Sequence, residues 1–312
     1  MQGLQQNQPR FSLPPWIRLL RPAQWLKNGI VGAAYLFARW DPTQAANASG
    51  WRAVASVALA VACFCAMSSA VYILNDWNDR EADRRHPVKR LRPLASGEVS
   101  SGTAWWLLTV LFIASTVAAW FCLPLRFLYV LGGYAAMQIA YTFFLKRISY
   151  VDVFVISIGF VLRAVAGAVA ITVRISPWLL LCTFLLSLFL ALCKRRHEKI
   201  LLEAEDADEH RAALSGYDQR LLDLQIGILA AATLVCYSIY TLAPETVQRF
   251  GTNRLGLTIP FVIFGIFRYL ELVYRHAEGG RPEKVMLTDK IMIGTVLAFF
   301  LTALAIFLTL PR

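Results

Sequence analysis

Charge is what this 312-residue sequence has least of: Asp, Glu, Lys and Arg make up 16% of it, whereas 57% is hydrophobic. A chain of that length and balance cannot cover a folded core with polar surface, which argues against a water-soluble globular protein. Acids are the scarcer sign, 20 against 31 Lys and Arg, for a net charge of +11. In a soluble protein that excess would suit nucleic acid, but basic loops are the topological rule in membrane proteins, so no nucleic-acid partner is expected. The four histidines (His86, His197, His210 and His276) share no helical spacing and give no reason to expect a histidine metal site or base. The six cysteines (Cys63, Cys65, Cys122, Cys182, Cys193 and Cys236) lie in or beside apolar segments without paired spacing, so neither zinc nor disulfides are expected. A Ser-His-Asp constellation, a CxxC, a glycine-rich nucleotide loop and a cleavage site before the first apolar stretch are all missing.

Apolar segments, by contrast, recur at roughly 28 to 39, 51 to 74, 103 to 122, 125 to 145, 151 to 173, 177 to 193, 224 to 243, 257 to 274 and 288 to 310. Most approach the ~20 residues that cross a bilayer as a helix. The expectation is therefore an all-α, polytopic bundle of nine spans, a single integral domain over 1–312 whose solvent is the lipid bilayer, with the short first span the weakest. If the N-terminus is inside, the inner segments hold 22 Lys and Arg against 7 outside. That asymmetry predicts a cytoplasmic N-terminus and an external C-terminus. Trp16, Trp25, Trp40, Trp51, Trp105, Trp106 and Trp178 stand near expected span ends, as an interfacial belt would.

The second span ends in Tyr72-Ile-Leu-Asn-Asp-Trp-Asn-Asp-Arg-Glu-Ala-Asp83. On one continuous helix, at about 100° per residue, Asp76, Asp79 and Asp83 fall within an arc of about 60°. Three carboxylates on one face repel unless a cation stands between them. Mg²⁺ takes one or two carboxylates plus phosphate oxygens and water, which makes Asn75, Asp76, Asp79 and Asp83 the candidate metal set and the three acids the candidate catalytic residues. The alternative is a solvated helix end whose acids balance neighbouring arginines. The next stretch, Arg84 to Gly97, is punctuated by proline and brings Lys89 and Arg92, a basic loop suited to a diphosphate, although loop charge also has a topological explanation.

This pattern resembles the UbiA-type intramembrane transferases, whose NDxxDxxxD signature is matched at Asn75, Asp76, Asp79 and Asp83. A phosphoribosyl-transferring branch of that family is resembled through RPAQWLKN (Arg21 to Asn28), NDWNDREADRRHPVKRLRP (Asn75 to Pro93) and LKRISYVDVFVISIGFVLRAVAGA (Leu145 to Ala168). The likeness continues at Lys194-Arg-Arg-His-Glu198, at EHRAALSGY (Glu209 to Tyr217) and at GGRPEKVMLTD (Gly279 to Asp289). It implies a nine-helix bundle in a bacterial inner membrane, with active-site loops in the cytoplasm. It also implies a Mg²⁺-dependent transfer from 5-phosphoribosyl 1-diphosphate to a polyprenyl phosphate, and it is compatible with a homo-oligomer. Members that prenylate aromatic rings carry a second aspartate motif between the sixth and seventh spans. Here that position reads Lys194 to Glu198, and cations in place of acids suit an anionic acceptor.

Further substrate-binding candidates are Lys27, Tyr141, Lys146, Arg163, Lys194, Glu198 and Tyr217. Arg163 lies inside the fifth span, where a cation should face a polar interior, and either contacts phosphate or pairs with Asp152. Tyr217 is read as a donor to sugar or phosphate, or as an interfacial tyrosine. Arg268 is expected to pair with Glu271 at i+3, and the acids Glu203, Glu205, Asp206, Asp208 and Glu209 are read as a solvated loop. An aromatic prenyltransferase with a polyprenyl diphosphate donor is disfavoured by the missing second motif. A transporter is disfavoured because its key charges usually sit near mid-membrane.

Overall fold

The computed structural model describes residues 13–86, 88–204, 216–275, 285 and 288–309, and the regular elements among them are all helical. Helix α1 (Pro15–Leu20) passes through Arg21 into a 3-10 segment, Pro22–Gly32, and on to α2 (Ala33–Arg39). There follow α3 (Gly50–Asn78), α4 (Arg80–Arg85), α5 (Ser101–Cys122), α6 (Leu125–Phe143), α7 (Val151–Ala170) and α8 (Pro177–Ala204). The chain closes with α9 (Gln219–Leu242), α10 (Pro244–Phe250), α11 (Ile259–Arg275) and α12 (Lys290–Leu308). Local chemistry sets several of these ends. Ser100 accepts from the Thr103 amide to start α5, Asp218 from Leu221 to start α9, and Asp289 from Met292 to start α12. Pro177 and Pro244 stand at first helical positions, where a missing amide hydrogen costs nothing.

Among the described residues, seven helical segments are long and apolar enough to cross a membrane: α3, α5, α7, α8 up to Ile200, α9, the run Arg254–Arg275 ending in α11, and α12. Two of the nine expected spans depart from the simple pattern. The first, 28 to 39, is the end of the 3-10 segment followed by a seven-residue helix. The fourth is a 19-residue helix, α6, diluted by Arg126, Gly132, Gly133 and Gln138, with Tyr134 and Thr142 on its buried face.

Two apolar cores flank α7. One gathers Phe64, Met67, Phe127, Leu131 and Ala166 from α3, α6 and α7. The other gathers Val153, Phe189, Leu192, Ile226, Tyr269 and Met292 from α7, α8, α9, α11 and α12. Helix α7 supplies both, so it is the wall on which the halves of the bundle are assembled. Its Gly167 lies against the 3-10 segment so closely that a Cβ would overlap the Val31 carbonyl oxygen. Gly167→Ala should therefore destabilise the protein by about 1–3 kcal/mol, as overpacking does. Gly132→Ala, whose methyl meets nothing within 4 Å, should not. Thermal unfolding of the two variants in detergent compares them.

At the end of the bundle away from the aspartate motif, buried Asp41 receives Thr43, Gln44 and Arg249, while Arg249 also donates to the Arg174 carbonyl. Burial opposes ionisation of Asp41, but these hydrogen bonds outweigh it and hold the carboxyl below the usual carboxylate range. The clasp ties the loop after α2 to the loop after α7 and to α10.

Candidate functional site

Helix α3 stops at Asn78, because Asp79 takes a bridge-region conformation (φ −93°, ψ 0°) and α4 starts one residue later. The three acids therefore do not share one unbroken helical arc, and among the described residues no three His, Cys, Asp or Glu side chains stand together as a metal cluster. Asp76 and Asp83, 2% and 4% exposed, instead converge on Arg92, whose Nη1 donates to Asp76 Oδ1 at 3.1 Å and to Asp83 Oδ2 at 2.6 Å. Arg21 also donates to Asp76. Asp79 turns the other way, to Lys146, whose Nζ lies 2.5 Å from Asp79 Oδ1 and 3.1 Å from Asn75 Oδ1. Each carboxylate of the motif is thus held by a cation from outside the motif: Arg21 before the 3-10 segment, Arg92 in the loop after α4, or Lys146 in the turn after α6.

The donor set suits a small divalent cation at one place. Two carboxylates already reach a single positive nitrogen of Arg92, and an ion there would find the one or two carboxylates that Mg²⁺ takes. Of the expected basic residues, Arg92 and Lys146 are on the motif. Lys89 opens the short 3-10 turn Lys89–Leu91 three residues before Arg92, and Lys27 lies half-buried in the Pro22–Gly32 segment. Arg21 went unselected by sequence reasoning, although it opens the RPAQWLKN stretch. It is left-handed (φ 53°), rests on the Tyr72 ring at 5.2 Å and reaches one helical turn further to Asp76.

Around the second-motif position, the structure builds a buried network. Arg195, 2% exposed, donates from Nε to Asp152 Oδ2 at 2.6 Å and pairs with Glu198. Tyr217 donates to Asp152 Oδ1 at 2.7 Å and accepts the Tyr150 amide at 2.8 Å, which steadies Tyr150 in its positive-φ conformation before α7. Burial and the Asp152 contact push the Tyr217 phenol well above its ordinary range, so it stays a donor. Two expectations change here. Tyr217 is enclosed and engaged by the protein itself, which leaves its hydroxyl unavailable to sugar or phosphate. Asp152 pairs with Arg195, so it is not the partner of Arg163. Arg196 is bound to Asp223 at 2.5 Å and lies over the Tyr274 ring. Lys194 and Tyr141 are half-buried, Lys194 immediately before Arg195.

Arg163 is not brought to the aspartates. It lies eleven residues, about 16 Å along α7, beyond Asp152 and is 4% exposed. Its guanidinium donates to Asn28 Oδ1 at 2.8 Å, to the Gly159 carbonyl at 2.8 Å and to the Tyr134 hydroxyl at 2.7 Å. That enclosure opposes the expected contact with substrate phosphate. Arg268 pairs with Glu271 as expected, and also with Asp289. The acids Glu205 to Glu209, His210, His276, most of EHRAALSGY and most of GGRPEKVMLTD lie outside the described residues.

Comparison with known proteins identifies the family. The UbiA prenyltransferase family matches residues 40–199. The chain is 35% identical over 291 residues to the decaprenyl-phosphate phosphoribosyltransferase of Mycolicibacterium smegmatis, covering 91% of this chain and 89% of that one. It is 34% identical over 303 residues to the enzyme of the same name from Corynebacterium glutamicum, covering 94% and 86%. In fold it is similar to a UbiA homologue from Archaeoglobus fulgidus solved with GPP and Mg²⁺, with a TM-score of 0.69 and 17% identity over 94% of this chain and 99% of that one. An all-helical bundle with multiple membrane spans, the NDxxDxxxD signature at the end of α3, and likeness along nine-tenths of the sequence converge, and the chain belongs to the UbiA prenyltransferase family.

Proposed function

We propose that this protein transfers the 5-phosphoribosyl group of 5-phosphoribosyl 1-diphosphate to a polyprenyl phosphate and releases diphosphate. The observation that carries this reading is the likeness, along nearly the full length of both chains, to proteins named decaprenyl-phosphate phosphoribosyltransferase. In this reading, an oxygen of the lipid phosphate attacks the anomeric carbon while the bond from that carbon to the diphosphate oxygen breaks. The lipid phosphate is already anionic at neutral pH, so no general base is required. Asp76 and Asp83 would hold Mg²⁺, with Asn75 and Asp79 completing its surroundings. Bound there, the metal supplies neutralising charge to the leaving diphosphate.

Arg21, Arg92 and Lys146 are assigned to the diphosphate oxygens, which they can take up in exchange for the motif carboxylates. Lys194 is assigned to the lipid phosphate, because it opens the stretch Lys194 to Glu198, where cations stand in place of a second aspartate motif and suit an anionic acceptor. The site lies at the cytoplasmic edge of the bacterial inner membrane, within a single transferase domain. Purified protein given labelled 5-phosphoribosyl 1-diphosphate, or separately labelled polyprenyl diphosphate, distinguishes this reaction from aromatic prenylation. The first label should enter a lipid and chelation should abolish its entry. Entry of the second label into an aromatic acceptor would overturn the proposal.

Orientation has its own expected result. A reporter after Arg312 should be external and one near Asp206 cytoplasmic, because the 22 to 7 charge bias requires an odd number of crossings. Reporters on the same side would refute the orientation.

A further inference from the structure

The Pro22–Gly32 segment is an eleven-residue 3-10 helix, where runs beyond three or four residues are uncommon. At three residues per turn, Pro22, Trp25, Asn28 and Val31 lie on one face. Three of the four are fastened. Trp25 Nε1 donates to Ser69 Oγ at 2.9 Å, Asn28 Nδ2 to Ser68 Oγ at 3.2 Å, and Val31 is fully buried with its backbone against Gly167. Arg163 completes the fastening by donating to Asn28 Oδ1 at 2.8 Å. The segment runs antiparallel to α3, so that Arg21 meets Asp76, Trp25 meets Ser69 and Asn28 meets Ser68.

Spacing explains why the winding matters. From Asn28 back to Arg21 is seven residues, about 14 Å at 3-10 rise but about 10.5 Å at α-helical rise. From Ser68 to Asp76 along α3 is eight residues, about 12 Å. An α-helical segment anchored at Asn28 would draw Arg21 back by about 3.5 Å. It would also rotate Arg21 by about 140°, at 20° per residue. The anchor therefore decides where the guanidinium arrives. Arg163 has the features of such an anchor: a buried intramembrane cation whose contacts here are all neutral groups, joining α6, α7 and the segment at one point. Arg21 itself sits in a conformation that a non-glycine residue keeps only when its surroundings impose it.

We propose that Asn28 and Arg163 are positioning residues, which lock the register of the 3-10 segment and thereby deliver Arg21 to Asp76. The role for diphosphate rests on the function proposed above, whereas the mechanical coupling does not. The test uses the purified full chain and the variants Asn28→Ala, Trp25→Phe, Arg21→Gln and the doubles of the first two with Arg21→Gln; the phenylalanine keeps an aromatic ring but loses the N–H donor. Affinity for Mg²⁺ with inorganic diphosphate is read from the ligand-induced shift in thermal unfolding. Asn28→Ala should weaken it about tenfold and Trp25→Phe about threefold. Both losses should vanish in the Arg21→Gln background.

Additive losses would overturn the proposal, because a residue supporting only the general fold weakens binding whether or not Arg21 is present. The same cycle in ligand-free melts should also be coupled, and additivity there overturns the proposal equally. If wild type fails to bind Mg²⁺ with diphosphate, the proposed function falls while the ligand-free cycle still decides the coupling.

Discussion

Asp76→Asn and Asp83→Asn should each lower kcat by about a thousandfold at saturating acceptor, with the folded protein retained. The size follows from the leaving group. Diphosphate departs with developing charge, and losing about 4 kcal/mol of its stabilisation costs about three powers of ten in rate. The interaction acts mainly in the transition state, so KM for the acceptor should move little. Asparagine keeps the shape and one oxygen at each position, so the change removes the charge and turns one acceptor into a donor without altering size. Initial rates with each substrate varied in turn provide the measurement, and a thermal melt establishes folding. Variants with full kcat and only a raised donor KM would show that the carboxylates merely bind the donor.

The second large effect lies in the network below the site. Arg195→Met should destabilise the protein by about 3–5 kcal/mol, because it leaves Asp152 buried without its cation. Asp152→Leu combined with Arg195→Met should recover a good part of that loss, since replacing both members of a buried pair is far less costly than breaking it. Unfolding by denaturing detergent compares the single and double variants. A double variant less stable than Arg195→Met alone would mean that Asp152 acts mainly through Tyr217 and the Tyr150 turn. That outcome would also show that the ion pair is not what holds the ends of α7, α8 and α9 together.

The sequence made the long spans and the aspartate signature legible because both are local properties. Hydropathy over about 20 residues reports the solvent, and four residues at fixed spacing report the motif. What stayed hidden depended on backbone winding or on distant pairing. Hydropathy cannot distinguish 3-10 from α, so the segment 28 to 39 shows in the sequence only as a short and weak span. The three-residue recurrence of Pro22, Trp25, Asn28 and Val31 was the available signal. No glycine or proline marks the break at Asp79, so the single carboxylate arc was a fair expectation that the backbone overrides. The partnership of Asp152 with Arg195 spans 43 residues and was masked by the nearer candidate, Arg163. Arg21 shares the RPAQWLKN stretch with Lys27, and nothing in the spacing singles it out. Its left-handed turn, which aims it at Asp76, has no sequence marker such as glycine.

The pairing of every motif carboxylate with a cation of the chain has a kinetic consequence. A bare divalent ion entering the resting site must displace Arg92 from Asp76 and Asp83 and leave a guanidinium without its counter-charge. An anion arriving alone must draw Arg21, Arg92 or Lys146 away and leave an acid exposed to its neighbours. Either half-step is uphill, whereas metal and diphosphate entering together satisfy both sets at once. The donor should therefore bind as its magnesium complex, with free Mg²⁺ and free donor each adding little by themselves. Rates should follow the concentration of that complex, and donor in excess over the metal should act as a weak competitor.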